Sequence, residues 1–294
     1  MTTLKKLLLS SILLLSILLY NGCDSLIEPV TDLEMHFIDV GQGDSTLILT
    51  PDGYTMLIDA GDNTQGKNVV SYIRSLGINK IDVLVGTHPD ADHVGGIDDI
   101  IKSFEIGDFY MPRTTHDTKT FEDVLLAAKS KGLKIKAAES DKLIAFDPET
   151  KAIFLSPENK KYSNNNAYSA VIQITYGSNK FLFTGDAEKE NEKEMIKKYG
   201  NVLKSDLIKL AHHGSATSNT PEFLDIVDPE VATVSCAYKN KYSHPHSEIL
   251  KYLKEKDIPL YRTDEQGTII IYSDGENLSV DQESAGSYTY RKGN

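Results

Sequence analysis

A chain of 294 residues with 40% hydrophobic side chains is long enough to bury one substantial core, or two small ones. Its formal net charge of −12 excludes tight, non-specific attraction to nucleic acid, so a polyanion would have to be held by a local site.

The first element is a leader. Lys5-Lys6 precedes an apolar stretch, Leu7 to Tyr20, broken only by serines; its 14 residues fall short of the ~20 that a spanning helix needs, and read as a signal-peptide core. Asn21-Gly22-Cys23 follows as a lipoprotein processing site. Residues 1–22 are therefore the expected signal peptide, with Cys23 acylated as a membrane anchor, a plain secreted form or an uncleaved anchor as the alternatives, and 23–32 a short tether carrying Pro29. This reading puts the protein outside the cytoplasm. With Cys23 consumed, Cys236 has no disulfide partner and reads as a buried thiol in the strand-like run 230–238.

From Leu33 the pattern turns to strands. Leu33 to Val40 is one, Ser45 to Thr50 another, and Pro51-Asp52-Gly53 turns into Tyr54 to Ala60. Val69, Val70, Ile73 and Leu76 recur with helical spacing, closed by Gly77. Ile81 to Gly86 is a buried strand, and Ile97, Ile100, Ile101 and Phe104 mark the next helix.

Between that strand and helix lies Thr87-His88-Pro89-Asp90-Ala91-Asp92-His93-Val94-Gly95-Gly96. Four candidate metal ligands occupy one turn. Side chains two apart in extended backbone share a side, so His88, Asp90 and Asp92 converge, and His93 joins as the helix starts. Gly95 and Gly96 let backbone crowd the site and leave a helix N-terminus for an anion.

Phe109 to Met111 is a further strand, and Lys119 to Lys131 a helix stopped by Gly132. Ala152 to Ser156 is apolar, Asn164-Asn165-Asn166 a polar loop, and Ser169 to Tyr176 with Lys180 to Thr184 a hairpin around Gly177-Ser178-Asn179. Asp186 ends the last of these strands, before a charged helix reaching Tyr199. Leu207 to Ala211 is a short strand ending at His212-His213. Helices are expected at Pro221 to Val227 and Pro245 to Lys256, strands at Pro259 to Thr263 and Thr268 to Ser273, and a loose polar tail over 283–294. Strands alternating with helices after an opening hairpin give an α/β layered fold.

The metal turn resembles the His-x-His-x-Asp-His motif of the metallo-β-lactamase superfamily, with Asp90 at the second His. That variant is similar to the hydrolase domain of ComEC-type competence proteins. Phe37-Ile38-Asp39-Val40-Gly41-Gln42-Gly43-Asp44-Ser45, Leu57-Ile58-Asp59-Ala60-Gly61, Phe183-Thr184-Gly185-Asp186, His212-His213-Gly214-Ser215 and Ser243-His244-Pro245-His246 follow in the family's order. The resemblance implies one αββα sandwich domain over 33–282, with two divalent ions, zinc or manganese, at one edge of its sheets.

By the same resemblance, Asp186 bridges the ions, His88 and Asp90 sit on one, and Asp92, His93 and His212 on the other. One of His212 and His213 binds metal and the other meets substrate; His212 is the expected ligand. Asp59 orients a ligand His without touching metal. Asn165 and Asn166 stand where most members of the superfamily carry another His, leaving the site rich in oxygen and manganese a serious rival to zinc.

Asp92, His213 and His246 are candidate catalytic residues; Gly95, Asn166, Ser215 and His244 are candidate substrate contacts. Three carboxylates against two divalent ions leave about +1, which suits an anionic phosphodiester. Two such ions lower the pKa of a water that attacks phosphorus. The implied function is an exported binuclear hydrolase of phosphodiesters, with extracellular DNA or other nucleic acid the leading substrate. Alternatives are a phosphocholine or cell-wall polymer esterase of the same fold, and a non-catalytic surface module for DNA uptake.

Overall fold

The computed structural model describes residues 32–286 and 288. The leader through residue 31, with Cys23 and its expected acylation, lies outside the described residues, as do residue 287 and residues 289–294. Among the described residues no helix is long and apolar enough to cross a membrane.

The first strands are β1 (Leu33–Phe37), β2 (Thr46–Leu49), β3 (Thr55–Ile58), β4 (Lys80–Val85), β5 (Glu105–Met111) and β6 (Ile135–Ala137). Then come β7 (Leu143–Ile144), β8 (Thr150–Ser156), β9 (Val171–Tyr176), β10 (Asn179–Phe183), β11 (Leu207–Lys209), β12 (Val231–Val234) and β13 (Leu260–Arg262). The chain closes with β14 (Ile269–Ser273) and β15 (Leu278–Val280). One sheet runs β15-β14-β1-β2-β3-β4-β5-β6 and the other β13-β12-β11-β10-β9-β8-β7.

Alternation along each strand sorts the core into layers. Met35, Phe37, Ile48, Met56, Ile58, Val83 and Val85 of the first sheet meet Phe154, Ile172, Ile174, Phe181, Phe183 and Leu207 of the second. Phe37 and Phe183 stack at the seam, their centroids 6.2 Å apart. On the outer face of the first sheet, Leu47, Leu57 and Leu84 pack with the apolar stripes of helices Gly66–Ser75, Ile97–Ser103 and Lys119–Ser130. On the outer face of the second, Val171, Leu182, Ile208 and Ala232 pack with helices Lys189–Tyr199, Pro221–Val227 and Ser247–Glu255. Covered on both faces, the last three residues of β4, Val83 to Val85, and of β10, Phe181 to Phe183, are all apolar and buried. This is the αββα sandwich.

The two sheets repeat one scheme. β2-β3 is antiparallel while β3-β4 and β4-β5 are parallel. Likewise β9-β10 is antiparallel while β10-β11 and β11-β12 are parallel. Asp59 follows β3 as Asp186 follows β10, and the turn from Thr87 to His93 follows β4 as His212-His213 follows β11. The centre is thus assembled from the carboxyl ends of corresponding strands.

Some local expectations change. Leu76 lies beyond its helix and is 40% exposed, and the late helix begins at Ser247, not Pro245. The short strands β6 and β7 carry too few apolar residues to show in the sequence. The first part of the tail is docked: Ala285 is buried with its N–H on the Leu260 carbonyl, and the Tyr288 hydroxyl donates to the Ile258 carbonyl. Cys236 is a free, fully buried thiol, as expected.

Candidate metal centre

His88, His93, His213 and Asp186 are 0 to 3% exposed and lie together at one edge of the two sheets. Asp186 is the hub. Its Oδ1 is 3.2 Å from His93 Nε2, and its Oδ2 lies 3.7 Å from His213 Nε2 and 4.0 Å from His88 Nε2. His213 Nε2 is also 3.4 Å from Asp92 Oδ2, and His88 Nε2 is 3.7 Å from Asp90 Oδ2. The histidine rings are sealed, whereas the Asp90 and Asp92 side chains are each 35% exposed, so the carboxylates form the wet face.

Each imidazole is set by what its other nitrogen meets. Asp59, fixed by the Thr87 N–H at 2.8 Å and the Thr87 hydroxyl at 2.7 Å, accepts from His93 Nδ1 at 2.8 Å. Because that hydroxyl donates to Asp59, it accepts from His88 Nδ1 at 3.1 Å. The Ser235 carbonyl accepts from His213 Nδ1 at 2.9 Å. All three therefore turn Nε2 inward. There His88 Nε2, His93 Nε2, His213 Nε2 and Asp186 Oδ1 are buried without a hydrogen bond. Buried polar atoms are rarely left so, and four of them facing one another match the donor set of a metal site. Tight donor groups form around His88-His93-Asp186, Asp92-His93-His213 and Asp44-Asp186-His213.

The charges agree. Burial pushes the Asp186 carboxyl up, but His93 and His213 outweigh it and hold the group well below the usual carboxylate range. Burial lowers His213, yet Asp186 and Asp44 raise it to about 10. His93 is raised well above its ordinary value by Asp186 and Asp59 against its own burial, whereas burial and then His93 lower His88. Protons hold this acid–imidazole cluster together where cations would replace them.

The backbone contributes strain at the same place. Asp59, His212 and His213 have φ of 61°, 50° and 55°, left-handed values that non-glycine residues seldom adopt. Successive left-handed residues turn the two neighbouring rings into different surroundings. His213 points into the cluster; His212 remains 23% exposed, with Nε2 3.7 Å from Asp186 Oδ2 and Nδ1 3.1 Å from the Thr217 hydroxyl. Of the pair, His213 enters the tight donor groups found among the described residues, while the expected ligand His212 stays outside them with its Nε2 equally near Asp186.

Other expectations meet the structure unevenly. Asn165 donates to Asp90 Oδ1 at 2.8 Å, and Asn166 Nδ2 lies 3.3 Å from His212 Nδ1, so the asparagine loop abuts the site. Gly95 does not offer an anion its N–H. That group donates to the Ala91 carbonyl at 2.9 Å, and a Cβ on Gly95 would come within 2.3 Å of the Asn63 nitrogen, so this glycine serves close packing. The Ser215 hydroxyl is 2% exposed and spent in its own turn, 3.1 Å from the Thr217 hydroxyl. His246 Nδ1 accepts the Ala216 N–H at 2.9 Å, which ties the two histidine loops together. His244 is buried with Nδ1 unpartnered, its ring 5.4 Å from that of His212 and 6.1 Å from that of His213. Burial and then the His213 charge push it down to about 3, so it is a neutral imidazole.

Sequence reasoning missed one pair. Lys209, 2% exposed at the end of β11, forms an ion pair with the buried Asp44, whose Oδ1 is 3.3 Å from His213 Nδ1. A lysine ending a buried strand was the available signal, because such a charge needs a partner.

The metallo-beta-lactamase superfamily description matches residues 38–238. Curated relatives include ComE operon protein 3 of Bacillus subtilis, 30% identical across 80% of this chain, and competence protein ComA of Neisseria gonorrhoeae, 31% identical across 82%. The chain spans 32% of the length of each. Among solved structures, CmlA, a diiron β-hydroxylase from Streptomyces venezuelae, aligns with a TM-score of 0.54 at 14% identity over 79% of this chain and 52% of its own. The metallo-beta-lactamase fold protein YhfI of Bacillus subtilis aligns with a TM-score of 0.52 at 13% identity over 82% of this chain and all of its own. These two likenesses concern the fold. The chain belongs to the metallo-beta-lactamase superfamily, and its clustered donors are those of a metal-dependent hydrolase.

Proposed function

We propose that the chain is an exported phosphodiesterase acting on nucleic acid through two divalent ions. The observation that carries this reading is the set of inward-facing, unpartnered donors of His88, His93, His213 and Asp186 behind the half-exposed carboxylates Asp90 and Asp92. His88 and Asp90 would hold one ion and Asp92, His93 and His213 the other, with Asp186 shared. When bound, such ions polarise a phosphoryl oxygen and supply a nucleophilic water at neutral pH.

The chain's own residues do the rest. Asp59, Thr87 and the Ser235 carbonyl fix the imidazole rings, so every Nε2 faces the cluster before a ligand arrives, and ion binding would displace the protons that His93 and His213 hold there. Asp44, with its charge balanced by Lys209, backs His213. His244, neutral, buried and unpartnered at Nδ1, packs beside the rings of His212 and His213. With half the donors carboxylates, manganese competes with zinc. The nucleic-acid substrate is supported by a relative named as a competence protein, and export by the leader pattern of Lys5-Lys6 and Leu7 to Tyr20.

The test is turnover by protein loaded with Mn²⁺ or Zn²⁺ against DNA, RNA, bis-p-nitrophenyl phosphate and a phosphocholine ester. Phosphodiester cleavage is expected. Asp186→Ala should lose bound metal and at least about a hundredfold in rate, because even outer-shell changes at metal sites cost 10–100-fold. Turnover of the phosphocholine ester alone would move the substrate. Failure of every phosphodiester with both ions would sink the reading.

A further inference from the structure

Beside the metal centre lies a cleft of about 500 Å³ lined by Gln42, Asp92, Lys241 and Tyr242 among others. Asn240, Lys241 and Tyr242 form part of its wall, and Tyr238 and Lys239 precede them in the same loop. Tyr238 and Tyr242 are 51% and 49% exposed, the only aromatic side chains so exposed among the described residues. Aromatic surface left in water at the rim of a reactive site marks a contact surface. Each ring carries a lysine: Lys239 Nζ is 5.4 Å from the Tyr238 centroid and Lys241 Nζ 4.9 Å from that of Tyr242.

The loop is held in shape from within. Asn240 Nδ2 donates to the Ala237 carbonyl at 2.9 Å and the His244 carbonyl at 2.6 Å, while its Oδ1 accepts from the His244 N–H at 3.0 Å. The inner face of Tyr242 stacks on His244, 5.6 Å between centroids and 22° between planes. That ring is therefore fixed in orientation against the site.

We infer that this loop is a base-stacking platform, so that the enzyme takes nucleic acid single-stranded, with bases on Tyr238 and Tyr242 and phosphates passing Lys239 and Lys241 toward Asp92. The inference rests on the nucleic-acid reading above and deepens it. Paired bases in a duplex hide their faces, whereas unpaired bases present them to aromatic rings. A polyol-phosphate polymer would satisfy the lysines equally but has no flat group for the tyrosines. In a chain of net charge −12, stacking also supplies attraction that bulk charge cannot.

The experiment measures binding of the full, metal-loaded chain to labelled, hydrolysis-resistant phosphorothioate oligomers of about ten nucleotides, within the site sizes usual for single-strand binders. One is oligothymidine, the other an abasic strand of equal length and charge. The thymidine strand should bind about a hundredfold more tightly, about tenfold for each of two stacked bases. Tyr238→Ala and Tyr242→Ala should each erase about tenfold of that preference, with unchanged melting temperature, and Tyr→Trp at either position should keep it. Equal affinity of the wild type for both strands would overturn the platform. So would alanine variants that weaken both strands alike, or polyglycerol phosphate competing as well as oligothymidine. Because no turnover is read, failure here is separate from failure of the hydrolase reading, which the small-ester assay decides.

Discussion

At the scale of single residues, the centre turns on which of two adjacent histidines is sealed. His213 has one nitrogen on the Ser235 carbonyl and the other facing Asp92 and Asp186; His212 keeps a solvent face and a threonine partner. His213→Ala is expected to remove bound metal, losing more than tenfold in affinity, as loss of a direct donor exceeds loss of an outer-shell partner. His212→Ala should keep most of the metal while lowering turnover. Elemental analysis of both variants purified side by side decides, and equal retention would refute the assignment. Lys209 belongs to this scale as well, since removing it would leave the Asp44 charge buried without its counter-ion.

At the scale of elements, a buried carboxylate joins two helices behind the histidine loop. Glu192, on helix Lys189–Tyr199, accepts the Thr220 N–H at 3.1 Å and the Thr220 hydroxyl at 2.6 Å. It also accepts the Asn219 N–H. Thr220 in turn caps helix Pro221–Val227. Burial raises Glu192 above its ordinary 4.5 despite those bonds. The folded state therefore holds this proton more tightly than the unfolded chain. The stability it contributes is complete below pH 4.5 and declines as pH climbs toward the raised folded value. Urea midpoints of wild type minus those of Glu192→Gln should fall with rising pH over that interval; a flat difference would exclude the effect.

At the scale of the whole molecule, the inter-sheet seam sets the spacing of the metal-binding loops. Phe37 leads from β1 toward Asp44, and Phe183 leads from β10 toward Asp186, so their stacked rings fasten two of the loops that carry the centre. Phe183→Ala should cost about 3–5 kcal/mol in chemical denaturation. Combined with Phe37→Ala it should cost less than the sum, because touching rings are not independent. Strict additivity would mean that the seam does not couple the sheets.

Much of this was legible along the chain. The residue types from His88 to His93 are written within six residues, but the helix already begins at Ala91, so Asp92 reaches His213 from its first turn and not along the extended backbone that the spacing suggests. Asp186 and the histidine pair announce themselves at strand ends, and strands alternating with helices give an α/β layered fold, whereas the αββα arrangement came from the family resemblance. Tertiary structure alone decided that His213 rather than His212 turns inward, that Gly95 packs against Asn63 instead of greeting an anion, and that Asp44 and Lys209 neutralise each other beneath the site. It also revealed the shared scheme of the two sheets, which residue identities do not display. Periodicity and short spacing are properties of neighbours in sequence; the direction of a ring, the depth of a charge and the room for a Cβ depend on segments that meet only when the sheets close.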